Sequence, residues 1–292
     1  MTEGYKSTHT PKALYDAYRN LTVVLPDQQL LYFVDIREYR NFGLPNSEFS
    51  CVAGVKHGYE RLARAVVKNG KKVGPHRYKL FLLRRVAGPP PIDDSISGLS
   101  AVAPQGLVAG ESIIVNTTDL LRVFVGKGSP DEIQLALRLA VYFGHVQPTL
   151  GALQAYCNDY IGLDCSGFTG VYYGSPYRGK SSVEYRTAGR AVTEITGLAQ
   201  GCCIVWLNTN HISVIDSVVQ TYDEKGVQNG VECMVAEATA AKMEIDDPND
   251  GLNYSKYTIV KRSKGGWHVT RRIIRKDELK DTNPTVTIRS LN

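Results

Sequence analysis

From residue 201 onward, apolar runs short enough to be strands alternate with turn-forming residues, and this pattern restricts the C-terminal part to antiparallel sheet. Residues 201–207 (Gly-Cys-Cys-Ile-Val-Trp-Leu) form one run and 211–219 the next, across the turn Asn208-Thr209-Asn210. The polar stretch 223–230 leads into a third run, 231–237. Residues 257–262 and 267–274 read as a hairpin around Lys264-Gly265-Gly266, and 286–291 adds a last strand. Short connections make consecutive strands antiparallel neighbours, so the first three runs are expected to form a meander.

Ahead of these strands stands Ile161-Gly-Leu-Asp-Cys-Ser-Gly-Phe-Thr-Gly170. Asp164 suits a helix cap, which puts Cys165 in the first turn of the helix. Unpaired N–H groups at a helix start favour negative charge, so this position predicts a thiol shifted toward the reactive thiolate. On that reading, iodoacetamide would alkylate it well below pH 8. Ser166 and Gly167 add little bulk, and N–H groups there could hold an oxyanion. His211 follows 46 residues later at the mouth of a strand, placed to act as base. Glu237 ends the neighbouring strand, where a carboxylate could hold one imidazole nitrogen and leave the other for sulfur. His145 and Cys157 read as packing or surface residues.

The five residues Asp164-Cys165-Ser166-Gly167-Phe168 resemble the D-C-S-G-[FL] signature of the NlpC cell-wall peptidases. Residues 201–207 look like that family's G-D-[LV]-x-[FW]-[FW] strand, with Cys202 where its acid stands, and 211–215 like its H-V-[GA]-[IL]-[YV]. Its upstream Y-x-W-G-G stretch has no counterpart in 154–160. A glutamate as third residue is closer to the CHAP amidases. The resemblance spans about residues 150–240. It implies an α+β fold of papain-like, NlpC-like type, with the cysteine helix packed on an antiparallel sheet. It also implies cleavage of peptide or amide bonds in peptidoglycan stems through an acyl-enzyme on Cys165, without a cofactor. An acyltransferase or amidase on a non-wall substrate, or a degenerate peptidase domain used for binding, remain the alternatives.

The N-terminal part carries no Cys-His-acid set. Residues 12–20 suit a short helix, 21–25 and 30–36 two strands, and 59–68 with 78–85 a further hairpin. This makes residues 1–110 a β-rich accessory region that targets or covers the cleft. The prolines at 89–91 interrupt both helix and strand, and a boundary is placed near residue 110, with the catalytic domain at 111–292. Residues 131–143, with Ile133, Leu137 and Ala140 on one face, predict a helix.

The composition narrows the partners. A net charge of +5 over 292 residues is too small to argue for nucleic acid without a clustered patch. The six cysteines lack the paired CxxC spacing of zinc sites and read as buried thiols, with Cys202 and Cys203 on opposite faces of one strand. No signal peptide and no membrane-spanning run is visible. The expectation is cytoplasmic synthesis, with phage-lysis or specialised-secretion export if the substrate is the cell wall. The oligomeric state is not readable from the residues.

Overall fold

The structure is a computed structural model that describes residues 9–25, 31–85, 107–222, 224–226, 228–243, 251–261, 266–275, 278–282 and 285–291. The prolines at 89–91 lie outside the described residues. Helix α1 (Pro11–Arg19) leads into the hairpin of β1 (Leu21–Val24) and β2 (Leu31–Val34). A π-helical turn, Gly54–Tyr59, runs into α2 (Glu60–Asn69), followed by the sheet of β3 (Lys71–Gly74), β4 (Arg77–Arg85) and β5 (Leu107–Asn116). Four helices follow: α3 (Thr117–Phe124), α4 (Pro130–Tyr142), α5 (Leu150–Tyr160) and α6 (Cys165–Tyr173). The rest of the chain is strand: β6 (Arg190–Ala191), β7 (Cys202–Trp206), β8 (Ile212–Tyr222), β9 (Gln228–Thr239), β10 (Lys242–Met243), β11 (Gly251–Lys261), β12 (Trp267–Arg275), β13 (Glu278–Thr282) and β14 (Thr285–Ser290). No helix of the described residues is long and apolar enough to cross a membrane.

The meander β7–β8–β9 forms as the sequence predicts, and β11 and β12 pair as a hairpin. Strand β14 pairs with β7 on one side and with β12 on the other. Those two pairings turn β7, β8, β9, β11, β12 and β14 into a closed six-stranded antiparallel barrel. This overturns the expected papain-like, NlpC-like arrangement of the cysteine helix packed on an antiparallel sheet: the sheet is closed into a barrel. The edge a local reading leaves free is consumed by the last strand, which removes an unpaired row of N–H and C=O groups.

Alternation along each strand separates two cores. Ile204 and Trp206 of β7, Val231, Cys233 and Val235 of β9, Tyr257 and Ile259 of β11, Trp267 and Val269 of β12, and Val286 and Ile288 of β14 make one cluster. Only the inside of a ring can gather residues from strands on every side, so this cluster is the barrel interior. The intervening residues Cys203, Val205, Ile212, Val214, Ala236 and Ala238 belong to the second core, on the outer face. Cys202 and Cys203 do point to opposite faces, one into each core.

The outer core also takes in Leu14 and Tyr18 of α1, Leu62 and Val66 of α2, Leu80 of β4, Val115 of β5, and the buried faces of α3 to α6. It runs without a break across the boundary drawn near residue 110. Strand β4 pairs with β5 across the same point, and the Tyr18 hydroxyl donates to the Gly128 carbonyl at 2.8 Å. Residues 59–68, read above as a strand, are instead helical as α2. Leu62 and Val66 stand four apart with Arg61, Arg64 and Lys68 around them, a helical period that wins once the face has a core to meet. Each fully buried side chain of this kind contributes about 1.5–3 kcal/mol.

Candidate active site

Helix α6 is buried along its whole length, Cys165 to Tyr173, between the barrel and the remaining helices. That explains its nearly uniform apolar character. Asp164 caps it: its carboxylate accepts from the Gly167 N–H and, at 2.9 Å, from the Ser166 hydroxyl. Lys127 donates to the Ser166 hydroxyl oxygen at 2.7 Å and lies 3.4 Å from Asp164 Oδ2. The Ser166 side chain is therefore part of the cap, while its backbone N–H turns to the sulfur. Gly167 is required by a close approach: a Cβ there would sit 1.9 Å from the carbonyl oxygen of Gly126, which also accepts from the Asp164 N–H at 2.9 Å.

Cys165 stands in the first turn, 4% exposed. Its Sγ lies 3.8 Å from the carbonyl oxygen of Asn210 and accepts from the Ile212 N–H. The sulfur is thus bracketed by both chain neighbours of His211. Asn210 holds a positive φ of 28°, tolerable for asparagine, and Arg186 fixes this turn by donating to Asn210 Oδ1 at 2.9 Å and to the Leu207 carbonyl at 3.0 Å.

His211, buried at the start of β8, meets Glu237 of β9 through Nε2, 2.5 Å from Oε2. Glu237 is wholly buried and continues the interior face of β9. The Tyr257 hydroxyl donates to its Oε1, and Arg271 Nη1 lies 3.2 Å from each of its oxygens. Arg271 also donates to the Tyr257 hydroxyl at 3.0 Å and sits over the Trp206 ring at 5.2 Å, while Trp206 packs edge-on against His211. The structure therefore brings Cys165, His211 and Glu237 to one end of the barrel, in the order the sequence suggested.

Burial of the Glu237 carboxyl would raise its pKa. Arg271 above all, then His211 and the hydroxyl of Tyr257, outweigh that and hold it far below the usual carboxylate range. An ionised Glu237 accepts the Nε2 proton, which leaves Nδ1 of His211 as the basic nitrogen. Burial also pushes His211 toward the neutral ring; Glu237 opposes this and Arg271 adds to it, and the net direction is downward.

The thiol departs from the sequence expectation. Burial, then the neighbouring Asp164, push Cys165 up to about 12, against the smaller effects of the Ile212 N–H, Lys127 and the Ser166 N–H. Desolvation of a whole thiolate outweighs the partial charge of a helix terminus here. Cys165 rests as a neutral thiol that needs a base, and alkylation well below pH 8 is no longer expected.

One residue escaped the sequence reading. Tyr39, from the N-terminal part, is buried with its hydroxyl in hydrogen-bonding reach of the Cys165 thiol. Asn41 Nδ2 donates to that hydroxyl oxygen at 3.0 Å, which leaves the tyrosine proton for another acceptor. A bridge between Tyr39 and Leu163 brings it there, two residues before the cysteine. Nothing local marks such a contact between segments more than a hundred residues apart. Among the described residues, no group of three or more His, Cys, Asp or Glu gathers as a metal site. Compared with protein-family models, curated proteins and solved structures, the chain matches none of them.

Proposed function

We propose that this protein is a cysteine hydrolase of peptide or amide bonds. The observation that carries the reading is the relay from His211 to the anionic Glu237, with the Cys165 sulfur held between Asn210 and Ile212, the two chain neighbours of His211. His211 Nδ1 takes the thiol proton as Sγ attacks the carbonyl carbon. The Tyr39 hydroxyl meets the resulting oxyanion, since the Gly167 N–H is already held by Asp164 and the Ser166 N–H by the sulfur. The proton passes from His211 to the leaving amine, and an acyl-enzyme remains on Cys165. Water, deprotonated by His211, then releases the acid and restores the thiol. Glu237 keeps the imidazole in one tautomer and stabilises the transient imidazolium.

For the substrate class we propose peptidoglycan stem peptides, on the strength of the D-C-S-G-F resemblance at 164–168. Incubation of the protein with purified muropeptides, read by mass spectrometry, tests this. New fragments that differ from the parent by one hydrolysed amide support it. If muropeptides stay intact while general peptide amides are cut, the substrate proposal fails and the hydrolase reading stands; if neither is cut, both fail.

Tyr39 gives a prediction that bears on the oxyanion. Tyr39→Phe removes only the hydroxyl, so the buried ring and its edge contact with Phe49 at 5.4 Å survive. Turnover is expected to fall by about 10- to 1000-fold with KM little changed, the pattern of a lost transition-state donor. Steady-state kinetics of the folded variant check it. A raised KM with unchanged kcat would instead assign Tyr39 to substrate binding.

A further inference from the structure

The relay ends at Glu237, but the contacts do not. We propose that Arg271 is a positioning residue that holds His211 as a neutral base by balancing the Glu237 charge. This rests on the reading of His211 as the base, and it concerns how that base is set.

Three observations carry it. First, Arg271 Nη1 reaches both Glu237 oxygens at 3.2 Å, so the carboxylate that faces His211 is already paired. Second, the pair lies inside the barrel, with Glu237 fully buried and the Arg271 side chain only 12% exposed, so water screens it weakly. Third, Arg271 continues the interior face of β12 beyond Trp267 and Val269, and lies against the Trp206 and Tyr257 rings at 5.2 and 6.0 Å. Its position is set by packing as well as by charge.

The charge arithmetic follows from these contacts. With neutral His211, anionic Glu237 and cationic Arg271, the cluster sums to zero. A proton on His211 would leave a net positive charge in a desolvated site, which costs far more than in water. Without Arg271, the imidazolium and Glu237 would instead form a neutral ion pair, and a base locked in that pair would accept the thiol proton poorly. Around this pair stand the Trp206 ring from β7 against His211 and the Tyr257 hydroxyl from β11 on Glu237, while the Cys165 thiol from α6 lies against Asn210 and Ile212, the chain neighbours of His211. The charges next outward are Asp164 and Lys127 at the start of α6, and Arg186 on the Asn210 turn.

The test reads protonation directly. The chain has six histidines, and a His211→Gln variant identifies the resonance of His211 in ring-labelled protein. Titration by NMR is expected to show the His211 midpoint of Arg271→Met raised by one pH unit or more, a tenfold gain in proton affinity. Arg271→Lys, which keeps the charge, is expected to stay near the native midpoint. Arg271→Gln keeps a neutral donor and loses the charge; it should follow the methionine variant, and it carries the test if that variant does not fold. The rising limb of kcat/KM against pH should shift with the NMR midpoint. A native midpoint in a folded, uncharged variant would overturn the proposal, as would equal shifts in the lysine and uncharged variants. A normal charge response without any hydrolysis would leave Arg271 in this role and refute His211 as a catalytic base.

Discussion

Cys165→Ala is expected to lose turnover by about 10⁴-fold or more, down to background, because no other group forms the acyl-enzyme. The fold should persist. The substitution removes one sulfur from the first turn of a helix whose cap, Asp164 with Ser166, Gly167 and Lys127, is untouched. A stability change of about 1 kcal/mol is the expected scale, read as a small shift in Tm with an unchanged circular dichroism spectrum. Cys202→Ala and Cys203→Ala are the controls: the Cys202 thiol donates to the Gly197 carbonyl at 3.8 Å and the Cys203 thiol is buried beside Tyr173, so these variants lose stability and retain activity. Mass spectrometry should find the acyl adduct on Cys165 and on no other cysteine. Full turnover by Cys165→Ala would end the hydrolase reading.

The second large effect concerns the base. His211→Ala is expected to lower kcat by about 10³-fold or more. The resting thiol lies so far above neutral pH that almost none of it ionises without help, so a missing base cannot be replaced by spontaneous thiolate. For the same reason, residual activity in this variant should climb with pH throughout the alkaline range rather than level off near neutrality. Removal of the ring leaves Glu237 held by Arg271 and Tyr257, so the carboxylate keeps partners and the barrel end is not left with an isolated buried charge. Glu237→Gln should be milder, about 10- to 1000-fold, since the acid orients the ring and makes no bond to substrate. A His211→Ala protein with native kcat and a native pH profile would remove His211 from the mechanism.

The residues of this site were legible in the sequence for local reasons. A capping Asp before a Cys, a His after a three-residue turn and an acid at the end of the next strand are each set by neighbours within a few positions. Pairing of strands joined by short turns then carries Glu237 to His211. What tertiary structure decided lay beyond that range. Strand β14 closes the barrel by pairing with both β7 and β12, and nothing in 285–290 says which partners it will take. Strand β11, paired with both β9 and β12, brings Arg271 across the interior face to Glu237, and a bridge across more than a hundred residues brings Tyr39 against Cys165. The ionisation of the thiol also belonged to the tertiary level. The local rule at a helix start favours thiolate, whereas burial on every side favours the neutral thiol, and only the packed structure shows how much water the sulfur has lost. Residues 59–68 make the same point for the backbone. A short run of apolar and basic residues suits either period, and the face formed by Leu62 and Val66 became helical because a core was there to bury it.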